Sequence, residues 1–247
     1  MKIYPYQFDI LSPFRVFVKH FFTFSSIYFL FFIIQNRFFI FRVLGVVFFC
    51  SVIYNCNKPI NGRLCKMSIK NLFGHFSTIT RHRHEVIKNS ARIGILSQGL
   101  RHDLSKYSPS EFFQGVKYYK GTKSPNDGAR ADIGYSSAWM HHKGRNRHHF
   151  EYWTDYDSKT RRVTPVKMPL RYVAEMFCDR VAASKIYMKD SYTDASPLEY
   201  FERGRAVRDI HPETSDLIEH FLRVLAEQGE DRAFKYVKKY LREHDSY

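Results

Sequence analysis

From Met67 onward, apolar side chains recur at helical spacing. In FSTITRHRHEVIKNSARIGILSQGL, Ile79, Val86, Ile87, Ile93 and Leu96 fall at intervals of three, four or their sums, which predicts an amphipathic helix with one buried face. Ser108-Pro109-Ser110-Glu111 offers the cap, N1 proline and N3 glutamate of a capping box, so a helix is predicted to start there and turn Phe112, Phe113, Val116 and Tyr119 inward. Ser196-Pro197-Leu198-Glu199 repeats the device. MPLRYVAEMFCDRVAASKIYM places Tyr172, Val173, Met176, Phe177 and Val181 on one stripe, and the tail from Pro212 to His244 reads as two helices broken near Gly229. GTKSPNDG is turn chemistry, and DYDSKTRRVTPVKMP reads as a polar connector whose prolines prevent a long helix. No alternating strand pattern stands out, so the expected fold class is all-α.

Residues 1–66 follow another pattern. They hold 14 of the 23 phenylalanines, in runs such as HFFTFSSIYFLFFIIQ and RFFIFRVLGVVFFCSVIY that show neither amphipathic periodicity nor turn punctuation. A membrane span needs roughly 20 mostly apolar residues, and Gln35-Asn36-Arg37 splits this region into shorter pieces, with Arg42 inside the second. No small-residue cleavage site of an export signal is evident. The expected organisation is an apolar segment over 1–66 and a helical metal-binding unit over 67–247, with Met67 opening the functional chain at MSIKNLFGHF. A membrane anchor through residues 21–54 is the alternative.

Charge narrows the partners. Lys and Arg total 39 against 24 acids, a formal net charge of +15, so the surface should attract anionic, phosphate-bearing substrates, nucleic acid or, if residues 1–66 act as an anchor, a membrane. Cys50, Cys56, Cys65 and Cys178 show neither CxxC spacing nor the density of a disulfide scaffold, which fits a cytoplasmic protein. Cys178 reads as a small buried hydrophobe.

Histidine carries the candidate chemistry. RHDLSKYSPSEFF places His102, Asp103 and Lys106 together, and MHHKGRNRHHFEYW adds the doublets His141-His142 and His148-His149, closed by Glu151. His102 and Asp103 stand at the end of a helical region, where neighbouring side chains can converge on one ion. His82, with His84 as an equal candidate, lies on the preceding helix and Asp179 on a later one, and ligands from several helices meet in a bundle core. Mixed imidazole and carboxylate donors suit Mn, Fe, Zn, Ni or Mg as a divalent cofactor, and a bridging Asp103 would admit a second ion. Of the doublets, His142 and His149 are expected to face inward as ligands or proton donors, with His141 and His148 outward.

The order His82, then His102-Asp103, then Asp179 in an all-helical chain resembles the HD-domain superfamily of metal-dependent phosphohydrolases, and HDLSK is similar to its HD-x-x-K segment. HDLSKYSPSEFF, GYSSAWMHHKGRNRHHFEYW and SPLEYF also resemble an uncharacterised bacterial and phage family. The HD resemblance implies an HD-domain-like helical bundle with His82, His102, Asp103 and Asp179 as metal ligands and Lys106 facing a substrate phosphate. The expected function is metal-assisted hydrolysis of a phosphate ester, such as a nucleotide or a nucleic-acid end. Lys106, Arg145 and Arg147 would hold the anion, and His142, His149 and Glu151 would serve as catalytic groups. The alternatives are a di-iron oxygenase-type enzyme on the same ligands and a non-catalytic basic binding protein.

A chain beginning at Met67 is expected to be soluble, helical by circular dichroism and cooperative on heating. Aggregation of that chain, beside a well-behaved full-length protein in detergent, would contradict the expected organisation.

Overall fold

The computed structural model describes residues 68–247; the expectations for residues 1–66, the membrane anchor among them, lie outside those residues. The described chain is mostly helical: α1 Ile69–Ile93, α2 Leu96–Arg101, α3 Pro109–Lys117, α4 Pro125–Ile133, α5 Ser137–Lys143, α6 Leu170–Met188, α7 Ser196–Arg203, α8 Pro212–Gln228 and α9 Glu230–Glu243. Among the described residues no helix is long and apolar enough to cross a membrane.

The long first helix ends because Gly94 adopts φ 87°, a left-handed conformation that costs a side-chain-bearing residue but not glycine. Ile95 N then donates to Ser90 O at 2.9 Å and Gly94 N to Ala91 O at 3.3 Å, satisfying the last carbonyls of α1. The turn folds α2 back on α1. Gly99 permits the close approach, since a Cβ there would stand 2.6 Å from Ser90 Cβ. Arg83 of α1 then grips the returning end, donating Nε to His102 O at 2.9 Å and Nη2 to Leu100 O at 2.5 Å.

The core forms where α1, α6, α8 and α9 meet. Ile79, Val86 and Ile93 are buried seven residues apart on α1, as the periodicity predicts, whereas Leu96 is exposed beyond the Gly94 turn. Val173, Phe177 and Val181 of α6 pack toward Ile218, Phe221, Leu222 and Leu225 of α8 and Phe234 and Val237 of α9. The Phe177 ring lies 6.1 Å from Phe221 and 5.2 Å from Phe234. Gly229, at φ 80°, breaks α8 from α9 where the sequence places the break. Cys178 is a buried free thiol.

One expectation fails locally. The polar connector contains an antiparallel hairpin, β1 Thr154–Asp157 paired with β2 Arg162–Pro165. Its side chains are largely exposed, so no buried face imposed an alternating pattern. Arg161, at φ 55°, supplies the turn and donates its N–H to Asp157 O at 2.8 Å.

Phe177→Ala should lower stability by about 3–5 kcal/mol in denaturant unfolding, the usual range for emptying a fully buried aromatic position. A loss below about 1 kcal/mol would mean that α6 is not the core helix this packing requires.

Candidate metal centre

The site starts from two neighbouring residues that leave a helix. His102 ends α2 in an extended conformation (φ −52°, ψ 130°), and Asp103 then turns left-handed (φ 54°, ψ 22°) before a single 3-10 turn over Leu104–Tyr107. Aspartate tolerates that region better than most residues. Mid-helix neighbours diverge by about 100°; here the break brings both side chains to one point. His102 Nε2 lies 3.3 Å from Asp103 Oδ2.

Other elements complete the ring around Asp103. From α1, His82 Nε2 is 3.5 Å from Asp103 Oδ2 and 3.0 Å from Asp179 Oδ1. Asp179 Oδ1, from α6, is 3.5 Å from His102 Nε2. On the other side of the carboxylate, Asp103 Oδ1 is 3.2 Å from His142 Nε2 and 3.5 Å from His148 Nε2. His142 Nε2 is also 3.0 Å from His149 Nε2. Two groups of donors therefore share Asp103: His82, His102, Asp103 and Asp179, and Asp103, His142, His148 and His149, each set of ligand atoms lying within 4.8 Å of one another.

These groups fit a metal. Buried polar atoms normally have hydrogen-bond partners, yet both oxygens of Asp103 and the Nε2 atoms of His82, His102 and His148 are shut off from solvent without a hydrogen bond of acceptable geometry. The opposite ring nitrogens explain the orientation. His102 Nδ1 donates to Glu175 Oε1 at 3.0 Å, and His142 Nδ1 donates to Glu111 Oε2 at 2.7 Å. His148 Nδ1 stands 3.3 Å from Glu175 Oε1. A carboxylate that holds the Nδ1 proton leaves the Nε2 lone pair facing inward, the arrangement found behind metal-bound histidines. These buried histidines, aspartates and glutamates are positioned to hold a metal ion.

Each supporting residue is itself held. Gln98 Nε2 donates to Glu175 Oε2 at 3.0 Å and Arg171 Nε donates to Gln98 Oε1 at 3.1 Å. Asn146 Nδ2 donates to His142 O and to Ser105 Oγ, both at 2.8 Å. Trp153 Nε1 donates to Arg147 O at 2.7 Å, pinning the loop that presents His148.

The electrostatics follow from burial against pairing. Burial opposes charge on Asp103, but His102 and Lys106 outweigh it and hold its carboxyl well below the usual range. Burial likewise opposes charge on Asp179, and the neighbouring imidazoles of His102 and His82 keep its carboxyl well down. Glu175 is brought down to about 2 by His102 and His148 against the effect of its burial. Asp103 overcomes burial to raise the imidazoles of His102 and His142. Burial lowers His148 and His149, helped by neighbouring imidazoles.

Several expected residues find their places here, and others do not. His82 is buried and belongs to the first group of donors, whereas His84 is exposed and stands outside both groups. His142 and His149 face inward, but His148, expected outward, is also inside: the chain is not helical at 148–149, and both rings turn to the centre with centroids 4.1 Å apart. His141 points to Glu111 Oε1 at 2.6 Å. Lys106 Nζ sits 2.6 Å from Asp103 Oδ2. Arg145 is exposed and donates to His141 O, while exposed Arg147 reaches Tyr172 Oη at 3.3 Å; neither is in the buried group. Glu151 also stands outside the two groups of donors. The sequence reading missed Glu175, although it lies one helical turn before Asp179 and so on the same face. It read Glu111 as half of a capping box, but Ser108 makes no side-chain cap and Glu111 turns to the histidines instead.

The model of the family of unknown function DUF5662 matches residues 71–224. The chain belongs to DUF5662. No curated protein and no solved structure matches. The DUF5662 match runs from α1 into α8 and so includes every residue of the buried groups, while the family description carries no activity.

The shifts give a pH profile for protein stripped of metal. Raised pKa values at His102 and His142 contribute stability that is full below the ordinary 6.5 and lost as pH rises through the folded values. Lowered values at His148 and His149 remove stability as pH falls below 6.5, because the unfolded chain takes up protons that the fold refuses. Urea midpoints should therefore peak near pH 6.5, whereas added metal should stabilise more as pH rises, since it needs neutral imidazole. A metal-free profile still climbing at about pH 8 would contradict this arrangement.

Proposed function

We propose that this DUF5662 protein is a metal-dependent phosphohydrolase of HD type that cleaves a phosphate ester, with a nucleotide or nucleic-acid end as its substrate. One observation carries the reading: a buried carboxylate, Asp103, lies between two sets of inward-facing Nε2 atoms and has a lysine at its edge. The chain order of His82, His102-Asp103 and Asp179 resembles the HD pattern, and the net charge of +15 suits an anionic substrate.

In this reading each of the two groups of donors would hold a divalent ion, Asp103 contributing to both. His82, His102 and Asp179 would hold one, and His142, His148 and His149 the other. Ions bound there supply Lewis acidity, acidifying water and polarising a phosphoryl oxygen. The protein's own groups do the rest. Glu175 and Glu111 keep the Nδ1 protons of His102 and His142 in place, so their Nε2 lone pairs stay directed inward. Lys106 carries a positive charge at neutral pH and offers it to a phosphate oxygen; burial opposes that charge, but Asp103 and Asp179 outweigh it. Beside Lys106 and His142 a cavity of about 80 Å³ opens, lined also by His75, Glu111, Asn126 and Tyr187. Burial and Lys106 bring His75 down to about 4, so its imidazole is uncharged at neutral pH.

The nitrogen-rich donor set with a shared carboxylate also suits a pair of iron ions doing oxidative chemistry. A visible absorption band with oxygen consumption would favour that reading over hydrolysis.

Purified protein should contain divalent metal and hydrolyse a phosphate ester in a screen with Mn, Fe, Zn, Ni and Mg. Asp103→Ala should abolish metal binding and turnover, whereas Lys106→Ala should keep the metal and lose turnover by roughly tenfold or more, the size of one charge-assisted contact. Equal metal content in wild type and Asp103→Ala would refute the assignment.

A further inference from the structure

Next to Asp179 on α6 stands a partly buried arginine that no carboxylate among the described residues pairs with at close range. Arg180 follows Asp179 on α6. Its Nε is shut off from solvent without a hydrogen bond. The hydrogen bond its guanidinium does make runs from Nη2 to the thioether of Met176 at 3.9 Å, a weak acceptor. Its Cζ lies 5.0 Å from the centroid of the Phe201 ring, and Arg208 Cζ lies over the same ring at 4.5 Å.

The two arginines differ in what occupies them. Arg208 donates Nη1 to Phe201 O at 2.5 Å and Nη2 to Tyr200 O at 3.2 Å, so it closes the end of α7. Arg180 has no such carbonyls. Among the described residues neither guanidinium has a carboxylate within 4.0 Å. The Glu151 carboxyl feels both charges, yet its Oε2 is itself buried without a hydrogen bond. Two partly buried guanidinium groups over one ring, with no acid in ion-pair range, repel each other and lack the partner that burial calls for. An arginine fork matches two oxygens of one oxyanion, and such an anion would supply that partner.

We propose that Arg180, which follows Asp179 on α6 and is backed by Arg208, is an oxyanion-binding position that takes a second anionic group of the substrate. The inference rests on the phosphohydrolase reading and sharpens it: substrates carrying two anionic groups are preferred over simple monophosphates. Arg180 supplies the fork that the exposed Arg145 and Arg147 do not.

The test is calorimetric binding of orthophosphate, pyrophosphate and 2-phosphoglycolate to the full-length, metal-loaded protein. One of the two-headed ligands should bind at least about tenfold tighter than orthophosphate, the worth of one bidentate charge-assisted contact, and which one gains tells phosphate from carboxylate. Arg180→Met should erase the gain while leaving orthophosphate binding and metal content as in wild type. Arg180→Lys keeps the charge but loses the fork, and should lose at least about threefold of the gain, which tests the position even if the Met variant misfolds. No gain in the wild type, or a full gain in Arg180→Lys, overturns the proposal. Failure of the parent reading looks different: no phosphate ester would be turned over with any metal while the two-headed preference persisted.

Discussion

Asp103 is the group on which the rest of the site depends. Its carboxylate is buried, neither oxygen makes a hydrogen bond of acceptable geometry, and only Oδ2 has a lysine beside it, Lys106 at 2.6 Å; a buried charge left short of partners costs several kcal/mol. Positive charge or a metal has to meet it there. The surrounding architecture serves that demand: the Gly94 turn lays α2 along α1, Arg83 fixes the end of α2, and the left-handed backbone at Asp103 swings its side chain beside that of His102.

Helix α6 joins stability to chemistry. Val173, Phe177 and Val181 put one face into the core against α8 and α9, while Glu175 and Asp179, a turn apart, put another into the site. A shift of this helix would move the orienting carboxylate of His102 and His148 together with a direct donor. The site is therefore as rigid as the packing behind it. Loop-borne His148 and His149 lack that backing and rely on Trp153 and Asn146 to fix the chain around them.

The helices were legible in the sequence because burial on one face leaves a period, as Ile79, Val86 and Ile93 show. The hairpin was not, since its exposed side chains leave no alternation. His102 and Asp103 stood out in the sequence as neighbouring donors, and spacing left His82 and His84 open until burial separated them. The doublets misled because an inside and outside assignment assumes regular structure; at 148–149 the chain turns irregularly and both rings go in. Glu111 and Glu175 escaped notice because a carboxylate that orients a histidine looks, in sequence, like any glutamate on a helix.

Anomalous diffraction from crystals of protein purified without chelator tests the central claim most directly. The account predicts two peaks about 3.5–4 Å apart. One should lie within about 2.0–2.6 Å of Asp103 and of His82, His102 and Asp179, and the other at the same range from Asp103 and from His142, His148 and His149. No anomalous peak, with Lys106 and ordered water alone facing both oxygens of Asp103, would contradict it.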